Sequence, residues 1–435
     1  MDMPIRDTTF VPPGAPVEPE VAAPAVVERF NLGLALRYNV ANLGAQVVYA
    51  LFNFGMPLYL DTYRLNPSLI GLLANERSFV ASFVQPLVGR LSDRTRSPLG
   101  RRRPFFLAGI PLMALALVAL ALHPPFWIML AIMSVAAFFL SVAWDPYMAF
   151  MADLFPPEHR GRVGGLLGIG SGLGTVIFLL LAFNLWEHAE FAVFLICIAV
   201  MVAAWAFTFF TVKEPPLPPA EAIAARAARS RPNPAAYVRD VARYPEVVKY
   251  MLAVNFYWLG LGGVTPFITL FGVKALGATE QQAFLLPLIA TLLNALFAVP
   301  AGYLADRFSK KAVMTTGLLI IGVVAMIGSQ SQTLWQAMIA LGAVGVGNAT
   351  LAQINPLLAD LVPRKRTAEF MGLVSAVFSF AQPLGSVAAG AVVSLATIWV
   401  GGNDAYRWAF IFAGCTLLLS AALLQTVKPA QAVLD

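Results

Sequence analysis

Five polar side chains recur at helical spacing in the first long apolar run of the sequence. They are Asn39, Asn42, Gln46, Tyr49 and Asn53, separated by three, four, three and four positions. On an α-helix this spacing places all five along one face. Amide groups offer hydrogen-bond donors and acceptors without charge, and an aromatic ring suits the apolar face of a pyranose. We interpret the stripe as the lining for a hydroxyl-bearing solute, with polar packing between membrane helices as the alternative.

An acidic residue, Asp145, lies inside the fourth apolar run. Asp153 marks the end of that run, and Asp145 is eight residues deeper. At 1.5 Å per residue this is about 12 Å, near the centre of a ~30 Å hydrocarbon core. A carboxylate at that depth is costly, so we interpret Asp145 as a proton- or cation-coupling group, with a structural ion pair to Arg37 or Arg77 as the alternative. Glu76, nearer the other leaflet in the second run, is the second coupling candidate.

The composition indicates that these residues lie in a membrane. Hydrophobic residues make up 59% of the 435 residues, charged residues only 12%, and the mean hydropathy is +0.74. A soluble protein carries about 25% charged residues. The sequence therefore excludes a soluble fold and predicts an all-α polytopic membrane protein surrounded by the lipid bilayer. The net charge of +6 arises in loops beside the apolar runs, so we expect no nucleic-acid partner.

Twelve apolar runs follow one another, and basic residues fill every second connection. Of the 29 lysines and arginines, 24 lie in the two tails and the even-numbered loops. The odd-numbered loops hold three, which are Arg64, Lys274 and Arg407. Positive charge marks the cytoplasmic side, because carrying these groups across hydrocarbon is costly. The sequence predicts a multi-pass protein of the cell (inner) membrane with both termini cytoplasmic.

The longest interruption divides the twelve runs six and six. We predict a disordered cytoplasmic tail over 1–29, a six-helix bundle over 30–212, a cytoplasmic linker over 213–246, a second six-helix bundle over 247–427 and a cytoplasmic tail over 428–435. Two short repeats relate the bundles. Residues 152–156 match 359–363 at an offset of 207, and residues 89–94 match 302–307 at an offset of 213. These repeats predict two parallel halves of the same orientation.

The second repeat carries the motif Gly-x-x-x-Asp-Arg after the second and eighth runs. Its residues are Gly89, Asp93 and Arg94 in the first half and Gly302, Asp306 and Arg307 in the second. Together with two parallel six-helix repeats, the motif resembles that of the major facilitator superfamily. The resemblance implies the major facilitator fold of twelve transmembrane helices and a gating or structural role for the motif.

The first half carries a narrower resemblance. Gln85 to Gly89, the run Gly100 to Phe105 with its three arginines, and Pro146-Tyr147-x-Ala149 resemble the sucrose-proton symporters and their relatives in the glycoside-pentoside-hexuronide symporter group. This resemblance implies sugar transport. Tyr147 therefore joins the substrate-binding candidates. The further gating candidates are Arg101, Arg102, Arg103, Asp153 and Asp360.

The repeat extends the candidate lining to the second half. At an offset of 209, Gln46 falls on Asn255 and Tyr49 on Trp258. Solute sites in transporters with such repeats lie near the midplane between the repeats. We therefore add Asn255, Trp258 and, from the tenth run, Asn355 to the substrate-binding candidates.

Glycines recur at every fourth position in the fifth run, at Gly164, Gly168 and Gly172. Small residues at this spacing allow two membrane helices to approach closely. We expect these glycines to form the packed face of the fifth helix.

No pattern in the sequence indicates catalysis, a metal site or a bound cofactor. The three histidines lie far apart, and no Gly-Lys-Ser/Thr phosphate-binding motif is present. We expect a transporter that is not an enzyme, has no cofactor and works as a monomer. Our hypothesis is cation-coupled symport of a disaccharide or related glycoside, with a proton or a sodium ion, by alternating access. The alternatives are an exporter of drugs or metabolites and an uncoupled membrane carrier or assembly factor.

Overall fold

Twelve membrane-crossing helices account for most of the described chain. The computed structural model describes residues 30–214, 241–362 and 367–428. The helices are α1 (Leu32–Asp61), α2 (Pro67–Ala74 and Glu76–Arg94), α3 (Arg103–Ala121), α4 (Phe126–Leu154), α5 and α6 (together Pro157–Thr211), α7 (Pro245–Val264 and Phe267–Lys274), α8 (Glu280–Arg307), α9 (Lys310–Gly328), α10 (Leu334–Leu361), α11 (Thr367–Val400) and α12 (Arg407–Thr426). The chain turns between α5 and α6 at Ala189, where φ is −153° and ψ is 49°. The predicted twelve-helix, all-α fold is confirmed.

Hydropathy agrees with twelve crossings. Within the described ranges, 10 helical segments are long and apolar enough to cross a membrane by length and composition. One of these segments contains both α5 and α6, and α2, which is interrupted at Asn75, completes the set. The predicted tail over 1–29 lies outside the described residues, as do 215–240 of the predicted linker and 429–435 of the second tail.

Helices α1–α6 and α7–α12 form two halves that repeat the same contacts. Arg103, at the start of α3, donates a hydrogen bond to the carbonyl of Phe209, near the end of α6, at 2.6 Å. In the second half Lys311, at the start of α9, donates to the carbonyls of Gln425 and Val427, at the end of α12, at 2.8 and 2.6 Å. Because the same ends meet in both halves, the two repeats are parallel.

The two ends of the bundle carry different loops. We call the end with the α2–α3 loop, between Arg94 and Arg103, the basic end. We call the end with the α1–α2 loop, between Asp61 and Pro67, the far end. Contacts between the halves cluster towards the far end.

Two helix pairs close the far half of the interface. Helix α2 packs on α11, where the Ser386 hydroxyl donates to the carbonyl of Gly71 at 2.6 Å. Helix α5 packs on α8, where the rings of Trp186 and Phe284 lie 5.2 Å apart between centroids. Gly71 permits the first approach, because a Cβ at this position would clash with the carbonyl oxygen of Ser386.

Helices α1 and α7 meet at equivalent interruptions. In α1, residues Leu51–Gly55 form a π-helical turn just before Pro57, and α7 breaks at Pro266 between its two segments. Across this contact Thr269 donates to the carbonyl of Phe54 at 3.0 Å. Proline lacks the N–H that would continue an α-helix, which explains why both helices are interrupted here.

The halves separate towards the basic end. Asp93 and Arg94 of the first motif and Asp306 and Arg307 of the second are exposed to solvent. A Cβ added at the motif glycine Gly89 would meet no atom within 4 Å, and the same holds for its equivalent in the second half. Among the residues that the structure describes, the space between the halves is therefore closed at the far end and open at the basic end.

Candidate functional site between the two halves

The two residues of the polar stripe nearest the basic end pack against α5. The Asn39 amide donates to the carbonyl of Leu166 at 2.7 Å, and the Asn42 amide donates to the carbonyl of Leu167 at 2.8 Å. Asn42 also lies 3.2 Å from the Ser171 hydroxyl and is only 2% exposed. In this conformation both asparagines join two helices, which is the alternative interpretation of the stripe.

The packed face of α5 differs from the predicted one. A Cβ at Gly164, Gly168 or Gly172 would meet no atom within 4 Å, so the prediction for these three glycines is wrong. Gly170 and Gly174 instead face α1, where Asn39 and Gln46 are among the atoms that an added Cβ would meet. Helix α5 therefore approaches α1 closely through Gly170 and Gly174, which lie on a different face of α5 from the three predicted glycines.

Further along the stripe, Tyr49 contacts side chains of two other helices. The guanidinium of Arg77, on α2, lies over the Tyr49 ring at 4.0 Å from the ring centroid. The indole of Trp144, on α4, meets the same ring edge to face, with centroids 5.3 Å apart. Both Tyr49 and Gln46 are partly buried. Asn53 lies in the π-helical turn, whose wider turn changes the angular register that an uninterrupted α-helix would give it.

Asp145 lies next to this aromatic group and is partly buried. Gln85, on α2, donates a side-chain hydrogen bond to its carboxylate. Its Oδ2 atom has no hydrogen-bond partner among the described residues, and no ion pair within 4 Å joins it to a cation there. The alternative of a structural ion pair with Arg37 or Arg77 is therefore not seen in this conformation, in which Arg37 donates to the carbonyl of Gly33 at 3.1 Å.

Glu76 points to α4. The Ser134 hydroxyl donates to its Oε1 atom, and its Oε2 atom has no partner in the described part of the chain. Adjacent positions on a helix diverge by about 100°, so Glu76 does not pair with Arg77. Its proposed coupling role stays a prediction.

Tyr147 is fully buried inside the first half. Its ring stacks on Tyr38 with centroids 4.4 Å apart, and each hydroxyl donates to the other residue's carbonyl at 2.8 Å. This reciprocal pair fixes α1 to α4. In this conformation Tyr147 is therefore not accessible to a solute, and its placement is that of a packing residue.

In the second half, the predicted residues lie along α7 and α10. Asn255 and Trp258 are partly buried on α7, and Trp258 meets Tyr257 with ring centroids 5.1 Å apart. The Tyr257 hydroxyl donates to the Asn348 side chain on α10 at 2.8 Å. Asn355 is exposed on the last segment of α10, near the basic end. These residues do not form a tight cluster like that around Tyr49.

The arginines of the α2–α3 loop hold together the basic end of the first half. Arg102 pairs with Asp153 at 3.1 Å and with Asp93 at 2.7 Å, and Arg101 pairs with Asp153 at 2.7 Å. Glu214, after α6, accepts the backbone N–H groups of both arginines at 2.9 to 3.2 Å. A carboxylate there also complements the positive end of α3. Glu214 was not predicted as a part of this end, although it is the first acidic residue after the sixth apolar run.

The second half repeats this pairing in a more exposed form. Lys310 pairs with Asp360 at 2.7 Å, and Asp360 is the repeat equivalent of Asp153. The Asp360 side chain is 54% exposed, whereas that of Asp153 is 14% exposed and has two arginine partners. The ion pairs at the basic end are therefore stronger in the first half, where they are buried, than in the second half, where they are exposed to solvent.

We predict that Asp153→Asn destabilises the protein much more than Asp360→Asn. Losing the Asp153 charge leaves the largely buried Arg101 without an ion-pair partner among the described residues and leaves Arg102 with Asp93 alone. This loss costs about 3 kcal/mol, while the exposed pair contributes under about 1 kcal/mol. Thermal unfolding of both variants in the same detergent measures the difference. Equal losses would show that Asp153 does not hold the basic end together.

The contact between Arg77 and Tyr49 was not predicted, although the sequence holds a signal for it. Tyr49 is 17 residues from the start of α1 at Leu32, and Arg77 is 17 residues from the end of α2 at Arg94. At 1.5 Å per residue both lie about 25 Å from the basic end. Equal depth on consecutive helices makes such a contact possible.

Comparisons with known proteins agree with this architecture. The family model for the Major Facilitator Superfamily matches residues 39–295 and 250–434. The uncharacterized MFS-type transporter YxiO of Bacillus subtilis is 23% identical over 331 residues, which cover 71% of this chain and 74% of YxiO. The inner membrane transport protein YajR of Escherichia coli is 28% identical over 133 residues, covering 30% of this chain and 29% of YajR. The chain thus matches less than a third of the length of YajR.

A solved structure shares the fold over nearly the whole chain. The crystal structure of a D-xylose-proton symporter superposes with a TM-score of 0.71 at 16% sequence identity, covering 91% of this chain and 97% of that one. At this identity the similarity concerns the fold. The family model covers more than half of the sequence, and the chain therefore belongs to the major facilitator superfamily of multi-pass membrane transporters.

Proposed function

We propose that this protein is a secondary active transporter that moves a disaccharide or related glycoside together with a proton by alternating access. The proposal rests on Asp145, a partly buried carboxylate without an ion-pair partner among the described residues. Asp145, on α4, lies beside Tyr49 of α1, and Gln46 lies on the same face of α1 as Tyr49. A carboxylate that faces each side of the membrane in turn can take up and release a proton with each transport cycle.

The paired interruptions of α1 and α7 support a solute site between the halves. In transporters built from repeats, interrupted helices at corresponding positions point to the substrate site near the midplane. Here the π-helical turn of α1 and the break at Pro266 of α7 meet across the interface. The candidate residues Gln46 and Tyr49 on α1 and Asn255 and Trp258 on α7 lie on the basic-end side of these interruptions.

The distribution of positive charge supports an orientation. With 24 of 29 basic residues in the tails and even-numbered loops, the basic end faces the cytoplasm and both termini lie there. The space between the halves then opens to the cytoplasm in this conformation. YajR is named an inner membrane protein, and we propose the inner membrane for this chain too.

The two alternatives differ from symport in what they require of the site. An exporter of hydrophobic compounds favours an aliphatic and aromatic cavity without the polar face of α1. An uncoupled carrier has no need of Asp145. The solved structure whose fold this chain shares is named a D-xylose-proton symporter, which is a protein that couples a sugar, though a monosaccharide, to a proton. That likeness supports symport over the two alternatives.

Uptake by proteoliposomes tests the function. Purified protein is reconstituted, and accumulation of labelled sucrose, maltose and melibiose is followed under an imposed pH gradient, an imposed sodium gradient or neither. A pH difference of about one unit supplies about 1.4 kcal/mol per proton, enough for about tenfold accumulation. We expect accumulation that a protonophore abolishes.

The same experiment separates the alternatives. Accumulation driven only by sodium would replace the proton as the coupling ion, and equilibration without accumulation would favour an uncoupled carrier. If none of these neutral sugars enters under any gradient while the reconstituted protein remains folded, symport of a neutral disaccharide is wrong.

A further inference from the structure

Arg77 is the strongest functional feature that the transport proposal leaves unused. It lies about 25 Å from the basic end and about 15 Å from the start of α2 at the far end, well inside the membrane-spanning region. Placing a guanidinium at such a depth is costly, and arginines found there pair with an anion or line a polar cavity. The partners of Arg77 therefore indicate its function.

No carboxylate neutralises Arg77. In residues 30–214, 241–362 and 367–428, no ion pair within 4 Å involves this side chain, and its Nε atom has no hydrogen-bond partner. Its neighbour Glu76 is turned towards Ser134 on α4. Among the described side chains, the ring of Tyr49 fixes the guanidinium, at 4.0 Å from the ring centroid. The ring attracts the cation without neutralising it, and an arginine side chain is not deprotonated in proteins.

The guanidinium remains within reach of a solute. Arg77, Tyr49, Trp144 and Asp145 are all partly exposed, and they come from α2, α1 and α4. Tyr49 covers one face of the guanidinium and the Nε atom is buried, which leaves the edge with the two terminal nitrogens for a ligand. That edge presents N–H groups in a planar fork, whose geometry matches a carboxylate or a phosphate.

We propose that Arg77, held by Tyr49, binds an acidic group of the transported solute. The solute is then a hydroxyl-bearing organic anion, with a carboxylate or a phosphate that completes the missing ion pair. This inference rests on the proposed function, because it takes the space between the halves as the solute site. It narrows the substrate class from neutral sugars to acidic sugar derivatives.

Matched probes test the proposal on the purified full-length protein. Binding of D-glucose, D-glucuronate and D-glucose 6-phosphate is measured by the change in tryptophan fluorescence and by thermal shift, with inorganic phosphate as the anion without a sugar. We expect at least one acidic sugar to bind about tenfold or more tightly than glucose, as a charge-assisted bidentate contact provides. Binding of inorganic phosphate alone at the same affinity would overturn the proposal of an acidic sugar.

Variants identify the residue responsible. Arg77→Gln should lower the affinity for the acidic sugar about tenfold or more and leave the affinity for glucose unchanged, while Arg77→Lys should keep part of the preference. Arg37→Gln is the matched control, because Arg37 is exposed and contacts the carbonyl of Gly33. It should behave like the wild type. The comparison of probes on the wild type remains decisive even if Arg77→Gln fails to fold.

The outcomes separate this proposal from the proposed function. Equal binding of neutral and acidic sugars, with no effect of Arg77→Lys or Arg77→Gln, would overturn the anion site and leave sugar transport standing. Failure of every sugar to bind would overturn both. A preference for the acidic sugar that disappears in Arg77→Gln and persists in Arg37→Gln would support both.

Discussion

Asp145→Asn is expected to abolish accumulation of the solute against its gradient and to leave exchange across the membrane in place. Asparagine keeps the size of the side chain and its hydrogen bond with Gln85, but it cannot take up a proton. Without that proton the return of the empty transporter no longer depends on the gradient. An imposed pH difference of about one unit should then give no accumulation, whereas the wild type reaches about tenfold.

Counterflow and uptake must be measured on the same proteoliposomes. Counterflow of labelled sugar against unlabelled sugar reports binding and conformational exchange without net proton movement. Glu158→Gln is the control, because Glu158 is an exposed carboxylate at the basic end of α5, and it should accumulate solute as the wild type does. Unchanged accumulation by Asp145→Asn would remove this residue from the coupling role, and loss of counterflow as well would assign it to solute binding.

The fold was predictable because membrane helices can be recognised in a sequence by their length and apolar composition. All twelve runs are helices, and the internal repeat predicted the parallel halves, which share the hydrogen bonds of Arg103 to Phe209 and of Lys311 to Gln425. Each of these features depends on local sequence and on the hydrocarbon solvent. No distant contact had to be known.

The polar stripe was predictable as a face of α1, but its partners were not. Helical spacing shows that Asn39, Asn42 and Tyr49 point the same way over the regular part of the helix, yet it does not show what lies opposite each of them. Near the basic end that neighbour is α5, whose Gly170 lets the chain approach Asn39. Deeper in the membrane it is Arg77 of α2. A stripe can therefore serve packing at one end and a site at the other.

The spacing of apolar and polar residues did not predict the interruptions of α1 and α7. A π-helical turn at Leu51–Gly55 inserts extra length into one turn, so positions beyond it, and Asn53 within it, no longer follow the α-helical register. Pro57 and Pro266 were the visible signals. Thr269 donates its hydrogen bond to a carbonyl across the interface. The identity of that carbonyl depends on how the two halves meet, which no local sequence pattern predicts.

The closed far end provides the second large prediction, which concerns Gly71. In Gly71→Leu, the new side chain would clash with the carbonyl of Ser386 where α2 meets α11. Overpacking of this kind costs about 1–3 kcal/mol, and only the conformation closed at the far end bears the cost. The equilibrium should shift by about 5- to 150-fold towards a conformation that is open at the far end and closed at the basic end.

Spin labels across the basic end measure this shift. Cysteines replace Arg96, in the α2–α3 loop, and Phe308, in the α8–α9 loop, in a variant without Cys197 and Cys415; both label positions are exposed. The label-to-label distance should shorten in Gly71→Leu as the two halves close at the basic end. Gly402→Leu is the control, because a Cβ there would meet no atom within 4 Å, and it should keep the wild-type distance.

A milder variant keeps the prediction testable if the leucine disturbs folding. Ser386→Ala removes the hydroxyl that donates to Gly71 and weakens the far-end contact by about 1 kcal/mol, so it should shift the distances in the same direction by a smaller amount. Unchanged distances in both variants, with the protein still folded, would show that contacts other than α2 on α11 set the conformation. The Lys274–Asp61 ion pair and the Trp186–Phe284 contact would then be the elements that hold the far end closed.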